Sequence, residues 1–132
     1  MPHVIVEYSA NLDPRVDIPG LLRTVHQAML ATGVAELGAL RTRAARREHV
    51  VIADGDPANA FVAITLRLGH GRDEATRARV AQSVFDAACA HLEPDYAKNP
   101  LAISLELEEI PPPGSLKRNN LHARMRAKQA AA

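Results

Sequence analysis

The chain has 132 residues, 47% apolar and 23% charged, with 16 Lys and Arg against 15 Asp and Glu for a formal net charge of +1. This composition excludes a disordered polymer, and the near-neutral balance excludes the strong positive field that draws nucleic acids and acidic membranes. The single cysteine, Cys89, forms no internal disulfide, and there is neither an apolar run long enough to span a bilayer nor an opening secretion signal, so the expected setting is cytoplasmic.

The first predicted element is a strand, His3-Val-Ile-Val-Glu-Tyr8, with Val4, Val6 and Tyr8 on one face and His3, Ile5 and Glu7 on the other. A loop with Asn11, Asp13 and Pro14 leads to a helix from about Asp17 to Thr32. Asp17 caps it, Pro19 suits its first turn, Gly33 ends it, and Leu21, Leu22, Val25, Ala28 and Met29 form its apolar stripe. A second strand is expected near Ala39–Ala45. After a hairpin whose turn includes Asp54-Gly55, the second half repeats the plan. A strand over Ala60–Leu68 and a turn at Gly69-His-Gly71 precede a helix from about Asp73 to Leu92. That helix carries Ala81, Val84, Phe85, Ala88 and Leu92 at helical spacing. Pro94, Asn99 and Pro100 break the chain before a cleanly alternating strand, Leu101–Glu109.

Each β-α-β unit requires a crossover and hence parallel strands. The expected fold is therefore α+β: two such units, about 2–46 and 60–110, in one domain spanning 1–132. They share a four-stranded mixed sheet with two helices on one face and a short hairpin. The other sheet face carries several apolar residues and is left for other subunits to cover. With no Trp, two Phe and two Tyr, the core is built from small side chains that bury little area each, which also favours oligomers. The arm 111–132, after Pro111-Pro-Pro-Gly114, holds Lys117, Arg118, Arg124, Arg126 and Lys128 and is expected as a short arm or helix across a neighbour.

Proline at position 2 is the most suggestive residue for chemistry. Removal of the initiator Met leaves a free secondary amine on a strand, and an apolar pocket beside cations lowers the pKa of such an amine. A base poised near the working pH suits proton abstraction next to a carbonyl. Arg41 and Arg43 share one face of the second strand, and Arg72 stands after Gly69-His-Gly at the mouth of the second helix. Guanidinium forks at such places bind carboxylates. Arg46 and Arg47 read as a solvated face. The histidines 3, 26, 49, 70, 91 and 122 lack metal-ligand spacing, and Cys89 sits in an apolar stripe.

Taken in order, Met1-Pro-His-Val-Ile-Val-Glu7, Ile18-Pro-Gly-Leu21, Ala31-Thr-Gly33, Arg41-Thr-Arg43, Ala53-Asp-Gly55, Ala60-Phe-Val62 and Gly69-His-Gly-Arg72 resemble one known family. Ile103-Ser-Leu-Glu-Leu-Glu-Glu109 and Lys117-Arg-Asn-Asn-Leu-His-Ala123 continue the match. The family is the 5-carboxymethyl-2-hydroxymuconate delta-isomerases, a branch of the tautomerase superfamily. The resemblance implies a double β-α-β fold in a homotrimer and cofactor-independent isomerisation with no metal. Pro2 would be the general base, while Arg41 and Arg72 would bind a small dicarboxylate or tricarboxylate substrate; Arg43 matches the pattern too. The implied reaction converts 5-carboxymethyl-2-hydroxymuconate to its 2-oxo isomer in homoprotocatechuate (4-hydroxyphenylacetate) breakdown. Two other readings stand beside it: a tautomerase for another unsaturated 2-oxo acid, and a noncatalytic binding module. An RNA platform needs stacking aromatics on its sheet, and Phe61 is the only aromatic in the strands of the second half.

Overall fold

In a computed structural model that describes residues 1–132, the strands are β1 (His3–Ser9), β2 (Arg41–Arg47), β3 (Ala60–Gly69) and β4 (Leu101–Ile110). They form one sheet in the order β2-β1-β3-β4. β1 runs parallel to β2, β3 parallel to β4, and the two halves meet antiparallel at β1 and β3. Helices α1 (Ile18–Ala31) and α2 (Glu74–Tyr96) make the two crossovers and pack against each other. Both start where the sequence places a cap. Asp17 accepts from the Gly20 amide at 3.0 Å, and Asp73 accepts from the Thr76 amide at 2.8 Å.

The alternation of β1 and β3 decides which face is covered. Val4, Val6 and Tyr8 meet Val62, Ile64, Leu66 and Leu68 beneath the helices. There they join Leu21, Val25 and Met29 of α1 and Val80, Val84, Ala88 and Leu92 of α2. Tyr8 is the only aromatic residue in this buried cluster, so its cohesion is almost wholly aliphatic. Each such aliphatic side chain contributes about 1.5–3 kcal/mol on full burial. The predicted stripe of α2 shifts by one position at its start, because Val80 is buried whereas Ala81 and Phe85 are half-buried beside β4.

Three expectations change. The hairpin between the halves does not form. β2 occupies one edge of β1 and β3 the other, so the connecting chain crosses the end of β1 instead of folding back on β2. Asn11 fastens that connection by donating to the Pro57 and Asn59 carbonyls at 3.1 and 2.7 Å. The second strand begins later than expected, at Arg41, since Leu40 turns into the core. And Pro94 does not end the second helix, which continues to Tyr96. Proline removes one amide donor there, but the last turn is pinned by Asp95. Arg15 grips that carboxylate with Nε at 2.9 Å and Nη2 at 2.6 Å, and Asn99 donates to it at 2.8 Å.

Asp95 is buried, and the Arg15 hydrogen bond, assisted by Asn99, holds its carboxyl below the usual range in spite of desolvation. Asp95→Ala leaves the Arg15 guanidinium without its partner and is expected to cost about 3–5 kcal/mol in urea denaturation. The sign of the pH dependence follows. A depressed carboxyl stabilises the fold above its unfolded pKa of ~3.9, and that stabilisation is lost as pH falls through the lower folded value.

The tail supplies a third helix, α3 (Leu121–Ala131), none of whose residues is buried. Its start rests on the protein's own chain, where Asn119 Nδ2 donates to the Gly38 carbonyl at 2.7 Å. Only glycine fits at that contact, because a Cβ on Gly38 would lie 2.9 Å from the backbone of His122. The open sheet face is mixed, not uniformly apolar. Phe61, Ala63, Ala45 and Ala102 lie towards one end, around Glu7, and the register sets His3, Arg41, Arg43 and Arg67 together towards the other. No helix is long and apolar enough to cross a membrane.

Candidate active site

Sheet topology brings four separate parts of the chain to one place. The N-terminus lies at the start of β1, beside the start of the parallel strand β2. β3 runs the opposite way, so its last residues and the Gly69-His-Gly-Arg72 turn finish at the same end of the sheet. β4 parallels β3 and delivers Ile110 and the segment to Lys117 there too. Between these parts lies a cleft of about 340 Å³, bordered by Met1, His3, Arg41, Arg67, Ile110 and the 111–117 segment. A second cleft of about 280 Å³ adjoins it and shares Met1, Ile110, Ser115 and Lys117.

Pro2 is buried directly behind Met1, and its carbonyl accepts from the Arg41 amide at 3.3 Å, which locks the first residues to β2. The Met1 amine is held below its ordinary value, first by burial, then by Lys117, and after it by Arg41 and Arg72. Every one of these influences disfavours the ammonium form. The location therefore suits a neutral amine.

Arg41 and Arg43 flank His3, as the β1–β2 register requires. Arg41 Nη2 lies 3.0 Å from His3 Nε2 and Arg43 Nη1 lies 3.1 Å from His3 Nδ1. From the other side the antiparallel register sets Arg67 across from His3. Burial first, then the charges of Arg41, Arg43 and Arg67, push the imidazole down to about 4. A neutral imidazole has one acceptor nitrogen. It can accept from only one of the two guanidinium groups, and the other keeps its donors for a ligand. An NMR titration is expected to show no protonation of His3 from about pH 8 to about pH 5, against ~6.5 for a free imidazole. Because the unfolded chain takes up that proton first, stability is full above pH ~6.5 and falls as pH drops towards 4. His3→Gln should flatten this part of the stability profile.

Arg41 borders the larger cleft and also contacts Met1 Sδ at 3.2 Å. Arg72 stands beside it without lining it, close enough to lower the Met1 amine. Its guanidinium donates to the Gly69 carbonyl at 3.1 Å and the Val34 carbonyl at 2.8 Å. Gly71, at a φ of +112, supplies the left-handed turn that swings Arg72 back over this end of β3. Arg46 and Arg47 are elsewhere, paired with Asp13 and with Glu7 at 2.6 Å each. Cys89 lies towards the opposite end of the sheet, its thiol raised by burial and by Asp86 and Glu93. No group of three or more His, Cys, Asp or Glu side chains is placed to hold a metal ion.

Two cations of the cleft, Arg67 and Lys117, are not singled out by reading the residues. Antiparallel pairing of the two halves through His3 would have pointed to Arg67. Nothing local points to Lys117, which reaches the site only because the chain folds back after β4.

Comparison with known proteins places the chain in a family. The family model for 5-carboxymethyl-2-hydroxymuconate isomerase matches residues 2–125. The 5-carboxymethyl-2-hydroxymuconate Delta-isomerase of Escherichia coli is 36% identical over 123 residues, covering 93% of this chain and 98% of that protein. The crystal structure of a 5-carboxymethyl-2-hydroxymuconate isomerase from Deinococcus radiodurans R1 superposes with a TM-score of 0.87. It is 34% identical, over 95% of this chain and 94% of that one. A fused 4-OT symmetric trimer shares the fold at a TM-score of 0.64 and 21% identity, over 83% and 85% of the two chains.

Proposed function

The chain belongs to the 5-carboxymethyl-2-hydroxymuconate isomerase family and is an isomerase, and from that premise we propose the substrate, the base and the assembly. The substrate is 5-carboxymethyl-2-hydroxymuconate, converted to its 2-oxo isomer, a step of aromatic-compound catabolism. The observation that carries this reading is the convergence of Arg41, Arg67, Arg72 and Lys117 on Met1 and the buried Pro2 behind it, at one end of the sheet.

With Met1 removed, the Pro2 nitrogen becomes a secondary amine facing the space that Met1 now fills. Burial and the neighbouring cations that lower the amine at this place favour its neutral form. It takes the proton of the 2-hydroxyl group, and the negative charge spreads along the conjugated diene towards the far carboxylate. The ammonium then returns a proton to carbon 5, which leaves the 2-oxo group and shifts the double bond. Arg41 and Arg72 bind the terminal carboxylates and stabilise the delocalised charge as it develops. His3, neutral, holds Arg41 or Arg43 in place without adding charge. The direct test is an ultraviolet assay of the processed protein on 5-carboxymethyl-2-hydroxymuconate, in which the diene absorbance decays to that of the 2-oxo product. Turnover of 2-hydroxymuconate but not of the carboxymethyl compound would move the substrate assignment to another unsaturated acid.

The assembly we propose is a homotrimer. β4 has no neighbour on its outer edge, and long unpaired edges seek partners. Beside it runs an apolar groove of about 450 Å³ that includes Phe85, Cys89, Tyr96, Leu101 and Ile103. The fused 4-OT structure of the same fold is a symmetric trimer. Sedimentation equilibrium is expected to give a species of three chains. A stable 14.3 kDa monomer at micromolar concentration would exclude it.

A further inference from the structure

We propose that Lys117 determines substrate specificity by binding the carboxylate that a tricarboxylate substrate has and a dicarboxylate lacks. The inference rests on the isomerase reading above and deepens it. Its first support is position. Arg41 reaches the N-terminus from the β2 edge of the sheet, and Lys117 reaches it from the chain beyond β4, so the two cations bracket the same end from opposite edges. Lys117 also borders both clefts that meet at Met1. A ligand reaching from one cleft into the other passes it.

The second support is availability. Arg67 shares its charge with Glu108 at 3.8 Å, Arg72 is tied to two carbonyls, and Arg41 and Arg43 turn to His3. Lys117 makes neither an ion pair nor a side-chain hydrogen bond to any acidic group, although it stands where its charge depresses the N-terminal amine more than Arg41 or Arg72 does. An ammonium held near other cations, with no carboxylate of its own, favours an anion beside it.

The third support is chemical fit. The terminal carboxylates of a muconate are conjugated, planar and fixed in direction, which matches the planar fork of arginine. A carboxymethyl arm rotates about its methylene and presents its charge over a range of positions. Lysine, a point charge with rotatable donors on a flexible stem, matches that partner. The three prolines at 111–113 restrict the backbone that leads to Lys117, so the flexibility lies in its side chain.

The test uses the full-length processed protein and Lys117→Met, which removes the charge while keeping the length of an exposed side chain. The first readout is the ratio of kcat/KM on 5-carboxymethyl-2-hydroxymuconate to that on 2-hydroxymuconate. The second is calorimetric affinity for two unreactive saturated probes, 2-(carboxymethyl)hexanedioate and hexanedioate. The variant is expected to lose about tenfold or more of its preference for the tricarboxylate in both readouts, with Lys117→Arg, which keeps the charge but not the rotatable point-charge head, recovering only part of it. Equal losses on tricarboxylate and dicarboxylate, or an unchanged preference, would overturn the proposal while leaving the isomerase reading intact. A wild-type protein that isomerises neither muconate, yet shows Lys117-dependent preference for the saturated tricarboxylate, would overturn the isomerase reading and keep the site.

Discussion

Protein with an uncleaved N-terminal extension is expected to fold and assemble as the processed form does, and to isomerise its substrate about a hundredfold to ten-thousandfold more slowly. That range is what a positioned general base contributes, and the extension removes the base without removing a side chain. Once acylated, the Pro2 nitrogen is an amide whose lone pair is delocalised into the carbonyl, so it has no useful basicity. The fold does not need the free amine. Pro2 is fastened through its carbonyl to the Arg41 amide, and the core begins at Val4. In the processed protein kcat/KM should rise with pH through the amine's pKa and level off above it, because the deprotonated form is the active one. That pKa should lie below ~7.7, since desolvation and the surrounding cations both disfavour the ammonium. Pro2→Ala keeps a primary amine in the same place and should lose only part of the activity. Equal rates for extended and processed protein on the same substrate would remove Pro2 as the base.

Arg41→Ala and Arg72→Ala are each expected to lower kcat/KM by about 2–5 kcal/mol of transition-state stabilisation, the range for leaving a buried carboxylate without its partner. The structure separates the two in their effect on the fold. The Arg41 side chain forms no ion pair with a carboxylate, so its removal should leave thermal stability close to wild type. The Arg72 guanidinium satisfies the Gly69 and Val34 carbonyls, tying this end of β3 to the segment after α1. Arg72→Ala should therefore also lower Tm, as each of these half-buried hydrogen bonds contributes about 0.5–1.5 kcal/mol. Arg72→Lys keeps the charge but cannot span both carbonyls and a substrate carboxylate, so it should recover stability in part and activity poorly. Either alanine variant retaining near-full kcat/KM on the carboxymethyl substrate would take that arginine out of substrate binding.

Local chemistry was enough for the elements and their pairing into two halves. Val4, Val6 and Tyr8 alternate against polar neighbours, Asp17 and Asp73 cap the helices whose apolar stripes follow them, and each β-α-β unit can only be parallel. The same reading reached Pro2, Arg41 and Arg72 as candidates, because a proline behind the initiator Met and arginines at a strand start and a helix mouth carry their meaning in sequence. The hairpin at Asp54-Gly55 failed for a reason no local signal carries. A turn sequence says that the chain bends, but only the filled edges of β1 decide what it bends towards. Pro94 failed likewise, since the grip of Arg15 on Asp95 joins residues far apart in the chain.

What the sequence by itself determined is the set of strands and helices, because period and caps act within a few residues. Which cations share a cleft was decided by tertiary structure alone. Arg67 faces His3 only through antiparallel pairing of the two halves, and Lys117 meets the N-terminus only because β4 ends at the same end of the sheet where β1 begins. Electrostatic partners act over a few ångströms of space whatever their separation along the chain, so their grouping cannot be read until the sheet has ordered them.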